Sequence, residues 1–208
     1  LVMTRLLVSA LVLLMATMGV GLSVAVVASL IFSGYLAFLS RTPLGVATFW
    51  PANALLVAGL ITLSGARRVA LLIIFAVCHL MVDLLVNMGW VRPLLFTIVD
   101  LLEAVVIWRL VVSLAGAAPR VRNLRALVQL PAITTPVAMA SGLVCATALH
   151  LLLGAPMWAG FWDWTLRDAL GLAVILPAAL VLMDAEHRRS FQRPWREQVL
   201  LLFAVAMV

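Results

Sequence analysis

Long apolar runs, broken only by short Arg-bearing gaps, leave this 208-residue chain few folds to choose from. The runs cover residues 6–39, 49–64, 69–88, 92–114, 126–153 and 164–183, and another begins at 199–208. A helix crosses a bilayer with about 20 apolar residues, whereas a barrel strand needs about 9–11 and alternates polar with apolar. The runs are far longer than such strands and lack the alternation. With 66% hydrophobic and only 11% charged residues, a soluble core of this size would have too little charge to clothe it. The expected fold is all-α, a polytopic helical membrane bundle with about seven spans begun in this stretch. Residues 1–208 read as one integral membrane domain, cut at the C-terminal end inside the last span.

The first run is the exception in length. At 1.5 Å per residue it would reach ~51 Å, against a hydrocarbon core of ~30 Å. One long, tilted or broken helix is expected there, with Gly19 and Gly21 as the weak point. Pro51 suits the first turn of the second span, where its missing N–H has no partner to lose. Pro131 and Pro136 are expected to kink the fifth span, and a wet aromatic loop is expected at 157–164.

The net charge of +6 is topogenic and implies no nucleic-acid partner. All 14 basic residues are Arg, and most sit in gaps between spans. Arg5, Arg67, Arg68, Arg120, Arg122, Arg125, Arg188, Arg189, Arg193 and Arg196 fall on one side, and Arg41, Arg92 and Arg167 on the other. The positive-inside rule makes the first side cytoplasmic, N-terminus included. Cys78 and Cys145 lie within apolar runs as small buried side chains, with no metal-ligand or disulfide spacing.

Against this background, residues 78–109 stand out. They hold His79, Asp83, Asp100, Glu103 and Arg109 in an otherwise apolar sequence. An ionisable group at the centre of a spanning helix costs about 2.5–3.5 kcal/mol even on lenient insertion scales, so such groups face protein, water or ligand. His79, Asp83 and Asn87 are spaced i, i+4, i+8 on one helix face; Asp100 and Glu103 share another at i, i+3. Counted from Trp90 and Arg92, Asp83 and Asp100 lie ~10 Å deep and His79 and Glu103 ~15 Å deep. The short turn between the two helices predicts that Asp83 meets Asp100 and that His79 meets Glu103. Asn53, Arg167, Asp168 and His150 fall in the upper turns of their own spans, outlining a polar funnel open to the outer face.

A purely structural role competes with that reading, since polar side chains join membrane helices at about 0.6 kcal/mol per hydrogen bond. Two adjacent carboxylates cannot both ionise in a low dielectric unless a cation lies between them. No standard motif makes His79, Asp83 and Glu103 a metal site. Trp50, Trp90, Trp158, Trp162 and Trp164 fall at the outer interface, as an aromatic belt or as a cup over the funnel. Arg109 is expected to snorkel to the cytoplasmic surface. The sequence carries no Gly-rich phosphate loop, nucleophile elbow or His-Glu zinc helix, so neither catalysis nor a cofactor is expected.

An ordered set of motifs carries a resemblance. It comprises Phe49-Trp50-Pro51-Ala52-Asn53, Arg67-Arg68, Leu102-Glu103-Ala104 with Arg109, and Trp164 through Arg167-Asp168-Ala169-Leu170-Gly171 to Pro177. Over residues 36–183 the chain resembles the bacterial membrane-associated sensor domain of the first type, the MASE family. The resemblance implies a sensory module of about eight helices in the bacterial inner membrane. It implies fusion at the C-terminal end to a GGDEF diguanylate cyclase or a histidine kinase, and a homodimer is expected because such enzymes work as pairs. Glu103 and Asp168 match the family pattern, whereas His79 and Asp100 stand where the family carries Asn.

The expected ligand-binding set is Asn53, His79, Asp83, Asn87, Asp100, Glu103, Trp164 and Asp168, for an unknown small ligand or cation on the outer side. The alternative is a small membrane transporter, or a substrate-binding membrane subunit, using the same acids. The partners expected in the sensor reading are the lipid bilayer and the fused cytoplasmic enzyme, whose signal is cyclic-di-GMP for a cyclase.

Overall fold

A computed structural model of the chain describes residues 50–85, 89–115 and 124–183, with Ala28, Ile31, Phe32 and Tyr35 as isolated helical positions. Five helices make up the continuous part, α1 Pro51–Thr62, α2 Ala66–Leu85, α3 Val91–Ala115, α4 Leu124–Leu153 and α5 Met157–Met183. No strand occurs among the described residues. Apart from those four isolated positions, the 6–39 span, with Gly19 and Gly21, lies outside them, as does 199–208.

The bundle's outer face is apolar, and a set of charged and amide side chains is buried inside it. Along α2 the exposed large apolar side chains are Val69, Ile73, Val77, Met81 and Leu85, a stripe with one residue per turn. α5 shows the same pattern in Trp158, Trp162, Leu166, Leu170 and Val174. Buried between the helices are Asn53, His79, Asp83, Asp100, Glu103, Arg167 and Asp168. Water would penalise that distribution and hydrocarbon favours it. α2, residues 128–153 of α4, and α5 are each long and apolar enough to cross a membrane. α3 has the length, 25 residues or ~37 Å, but carries Arg92, Asp100, Glu103 and Arg109.

α1 departs from the expected full span. It has 12 residues, ~18 Å, and all but Leu55 and Thr62 are buried. Pro51 opens it, and it closes at Thr62, with the Leu63 amide bonded back to Gly59 O at 2.9 Å. A helix apolar on every side belongs inside a bundle, and α1 packs against α2, α3 and α5. Its Leu56, Val57 and Leu60 meet Leu71, Ile74, Ile107, Leu172 and Leu176 in the main core. At its entry the Trp50 carbonyl lies so close to α5 that a Cβ on Gly171 would collide with it.

The aromatic stretch 157–164 also departs from expectation, because it is the first part of α5 and not a wet loop. The connection from α4 shrinks to residues 154–156. Gly154 takes φ 66°, a left-handed conformation that costs a glycine little. Its amide bonds His150 O at 2.9 Å, and the Ala155 carbonyl is held 2.9 Å from His150 Nδ1. α4 itself runs as one 30-residue helix through Pro131 and Pro136.

Candidate functional site

All five helices contribute to one buried polar network. α1 supplies Asn53 from its first turn, α2 supplies His79 and Asp83, α3 supplies Asp100 and Glu103, α4 supplies Ser141, and α5 supplies Trp164, Arg167 and Asp168. Helical spacing explains each pair. His79 and Asp83 lie four residues apart and Asp100 and Glu103 three apart, so each pair shares a face. That face is turned inward because the opposite one carries the lipid-type stripe.

Asp100 is the hub. Its Oδ1 accepts a hydrogen bond from Asn53 Nδ2 at 3.0 Å and lies 3.7 Å from Arg167 Nη2. Its Oδ2 lies 3.5 Å from His79 Nδ1, and the opposite ring nitrogen, Nε2, is 3.3 Å from Asp83 Oδ2. The imidazole is therefore suspended between two acids. Trp50 and Phe75 pack against it, with ring centroids 5.0 and 5.4 Å away. Arg167 bonds Asp168 through Nε at 3.1 Å and Nη2 at 3.4 Å. Its guanidinium lies over the Trp164 ring at 4.1 Å and near that of Trp50 at 5.3 Å, so two indole faces help compensate a buried cation.

Glu103 faces α4. Ser141 Oγ donates a hydrogen bond to Glu103 Oε2, and Trp164 Nε1 donates to that hydroxyl at 3.2 Å. Oxygens of Asp100, Glu103 and Asp168 lie within 4.8 Å of one another. All three side chains are buried, with no more than 2% of their surface exposed.

Of the eight residues expected from sequence, seven come together here. Asn87 lies outside the described residues. The pairings differ from the expected ones, because His79 bridges Asp83 and Asp100 and does not meet Glu103. The helices pack with Asp100 level with the imidazole, and this leaves Glu103 to face α4 and α5. Arg109 is exposed and lies against its neighbour Trp108, at 4.7 Å, clear of the network. The five outer tryptophans divide. Trp90, Trp158 and Trp162 are exposed as a belt requires, whereas Trp50 and Trp164 are buried in the site.

Ser141 escaped the sequence reading, and Arg167 and Trp50 stood outside the expected ligand-binding set. Arg167 was placed in the funnel and counted as an outer-side charge, and it is 4% exposed. The signal available was its place next to Asp168, inside an apolar run. Ser141 lies in a run of small residues, Ala140-Ser141-Gly142, which marks close helix contact but not polarity toward Glu103. Trp50 immediately precedes α1, and nothing in its spacing separates a belt indole from a buried one.

Comparison with curated proteins and with solved structures returns no match. The MASE1 family model matches residues 4–208, nearly the whole chain. The inside-out distribution of polarity, the buried network and that match together make this a multi-pass membrane protein, and the chain belongs to the MASE1 family of membrane sensory domains.

Proposed function

We propose that the chain is a sensory input domain that relays a periplasmic or membrane-borne stimulus to a cytoplasmic signalling enzyme at its C-terminal end. A diguanylate cyclase is the favoured output and a histidine kinase the second choice. The observation that carries the reading is the network itself. Asn53, His79, Asp100, Glu103, Arg167 and Asp168 couple helices α1, α2, α3 and α5 through side chains buried in the bundle. Gluing helices together requires a few hydrogen bonds, not three converging acids beside one guanidinium.

A stimulus acts on such a bundle only by favouring one packing over another. A change in charge or occupancy at Asp100 alters contacts to three other helices at once, and so biases how α5 sits against α1. In this reading the protein lies in the bacterial inner membrane with the Arg67–Arg68 end cytoplasmic, and works as a homodimer.

The test replaces Asp100 by Asn and Glu103 by Gln in the full-length protein and follows its output, cyclic-di-GMP production for a cyclase. The expected result is an output locked high or low, with normal membrane insertion. Unchanged basal output and unchanged response in both variants would show the network to be structural glue. Uptake of a solute into vesicles, abolished by the same substitutions, would favour the transporter.

A further inference from the structure

The network holds more acid than its base neutralises. Asp100, Glu103 and Asp168 converge, and the Arg167 guanidinium lies against Asp100 and Asp168. Ionised together, three carboxylates against one guanidinium would leave two negative charges in a space closed to water, which they cannot carry without a cation between them. His79 lies alongside, between Asp83 at 3.3 Å and Asp100 Oδ2 at 3.5 Å.

A second observation is independent of the acids. Asn53 is wholly buried and spends its amide N–H on Asp100, yet its Oδ1 accepts no hydrogen bond. That oxygen branches from the same carbon as the nitrogen bound to Asp100, so it lies at the edge of the carboxylate cluster. An amide oxygen is neutral and takes up no proton at any ordinary pH, so protonation cannot satisfy it. It requires a donor or a cation. Asp100 Oδ2 and Glu103 Oε1 are likewise buried without a hydrogen-bond donor. Carboxylate and amide oxygens are the ligands that hard cations take.

We propose that Asn53, Asp100, Glu103 and Asp168 form a binding site for one hard divalent cation of the Mg2+, Ca2+ or Mn2+ type. Two positive charges match the surplus left after Arg167. Arg167 then serves as a positioning residue, fixing the Asp168 carboxylate as Ser141 fixes that of Glu103, an outer ring that holds the ligands in place. This names a ligand class for the network on which the sensory reading rests, but binding and signalling are separately measurable.

The experiment uses the whole chain purified in nanodiscs and stripped with chelator. Mn2+ is titrated and its free paramagnetic signal followed, with Mg2+, Ca2+ and Na+ as competitors. Thermal unfolding is recorded in parallel by tryptophan fluorescence. The expected result is one saturable Mn2+ per chain, displaced by Mg2+ or Ca2+ but not by Na+ at equal ionic strength, with a raised unfolding midpoint. Glu103→Gln and Asn53→Ala should weaken binding at least tenfold, whereas Asp163→Asn, outside the cluster, should leave it unchanged.

The proposal is overturned if the wild-type chain takes up no Mn2+, if Na+ displaces it equally well, or if binding survives in both cluster variants. Should those variants fail to fold, stoichiometry and competition on the wild type decide. Binding with no effect on enzyme output would sink the sensory reading and leave the cation site standing.

Discussion

Arg167 lies 3.7 Å from Asp100 while bonding its own neighbour Asp168 at 3.1 Å, so a single guanidinium ties α5 to α3. Removing it strands two carboxylates in a buried, largely apolar setting. Breaking a buried ion pair from one side costs about 3–5 kcal/mol in proteins generally. Arg167→Met should therefore lower the thermal midpoint in detergent more than any other single change in the network. Arg167→Lys should recover only part of the loss, because an ammonium cannot serve Asp168 through two nitrogens and reach Asp100 as well. A neutral outcome for Arg167→Met would mean that the acids carry no charge to be balanced.

Ser141 links Trp164 to Glu103, and its removal should be mild by comparison. Ser141→Ala loses interhelical hydrogen bonds of the kind that contribute about 0.6 kcal/mol each in membranes. In a double-mutant cycle with Glu103→Gln, the two losses should fall short of additivity by about 0.5 kcal/mol or more. Full additivity would place Ser141 outside the network.

The contact of Gly171 with the Trp50 carbonyl predicts a steric effect unrelated to charge. Gly171→Ala pushes a methyl group against backbone, which cannot swing aside as a side chain can. Overpacking of this kind costs about 1–3 kcal/mol. Gly160→Ala, in the same helix but in its first turn, is the comparison and should be tolerated. Equal midpoints for the two variants would show that α1 enters the bundle by another path.

Tryptophan accessibility tests the membrane reading directly. In single-Trp variants, brominated lipid should quench Trp90, Trp158 and Trp162 strongly and Trp50 and Trp164 weakly. Comparable quenching of all five would mean that the bundle opens Trp50 and Trp164 to lipid.

Much of this architecture is legible in the sequence because the membrane makes a simple demand. Apolar length sets the helices, and a charge inside such a run must turn inward. Asn53, His79, Asp83, Asp100, Glu103 and Asp168 were found that way. Pairing across helices was not, because a helix can rotate by tens of degrees and slide by a residue without altering its own pattern. The level of Asp100 against His79, and of Glu103 against Ser141, depends on those unrecorded degrees of freedom. α1 misled for a different reason. Its apolar run is as uniform as a lipid-facing span, and composition does not separate a helix wrapped in hydrocarbon from one wrapped in protein.

That last ambiguity has a consequence for how the protein is made. α1, at 12 residues and ~18 Å, is too short to bridge a ~30 Å hydrocarbon layer by itself. It leaves the ribosome before α2, α3 and α5, the three helices that enclose it. Its final seat therefore does not exist when it is synthesised, and it must wait at the interface or with a helper until α5 arrives. Insertion order and assembly order differ in this chain, and the residue that closes the delay is Gly171, where the backbone of α1 comes to rest.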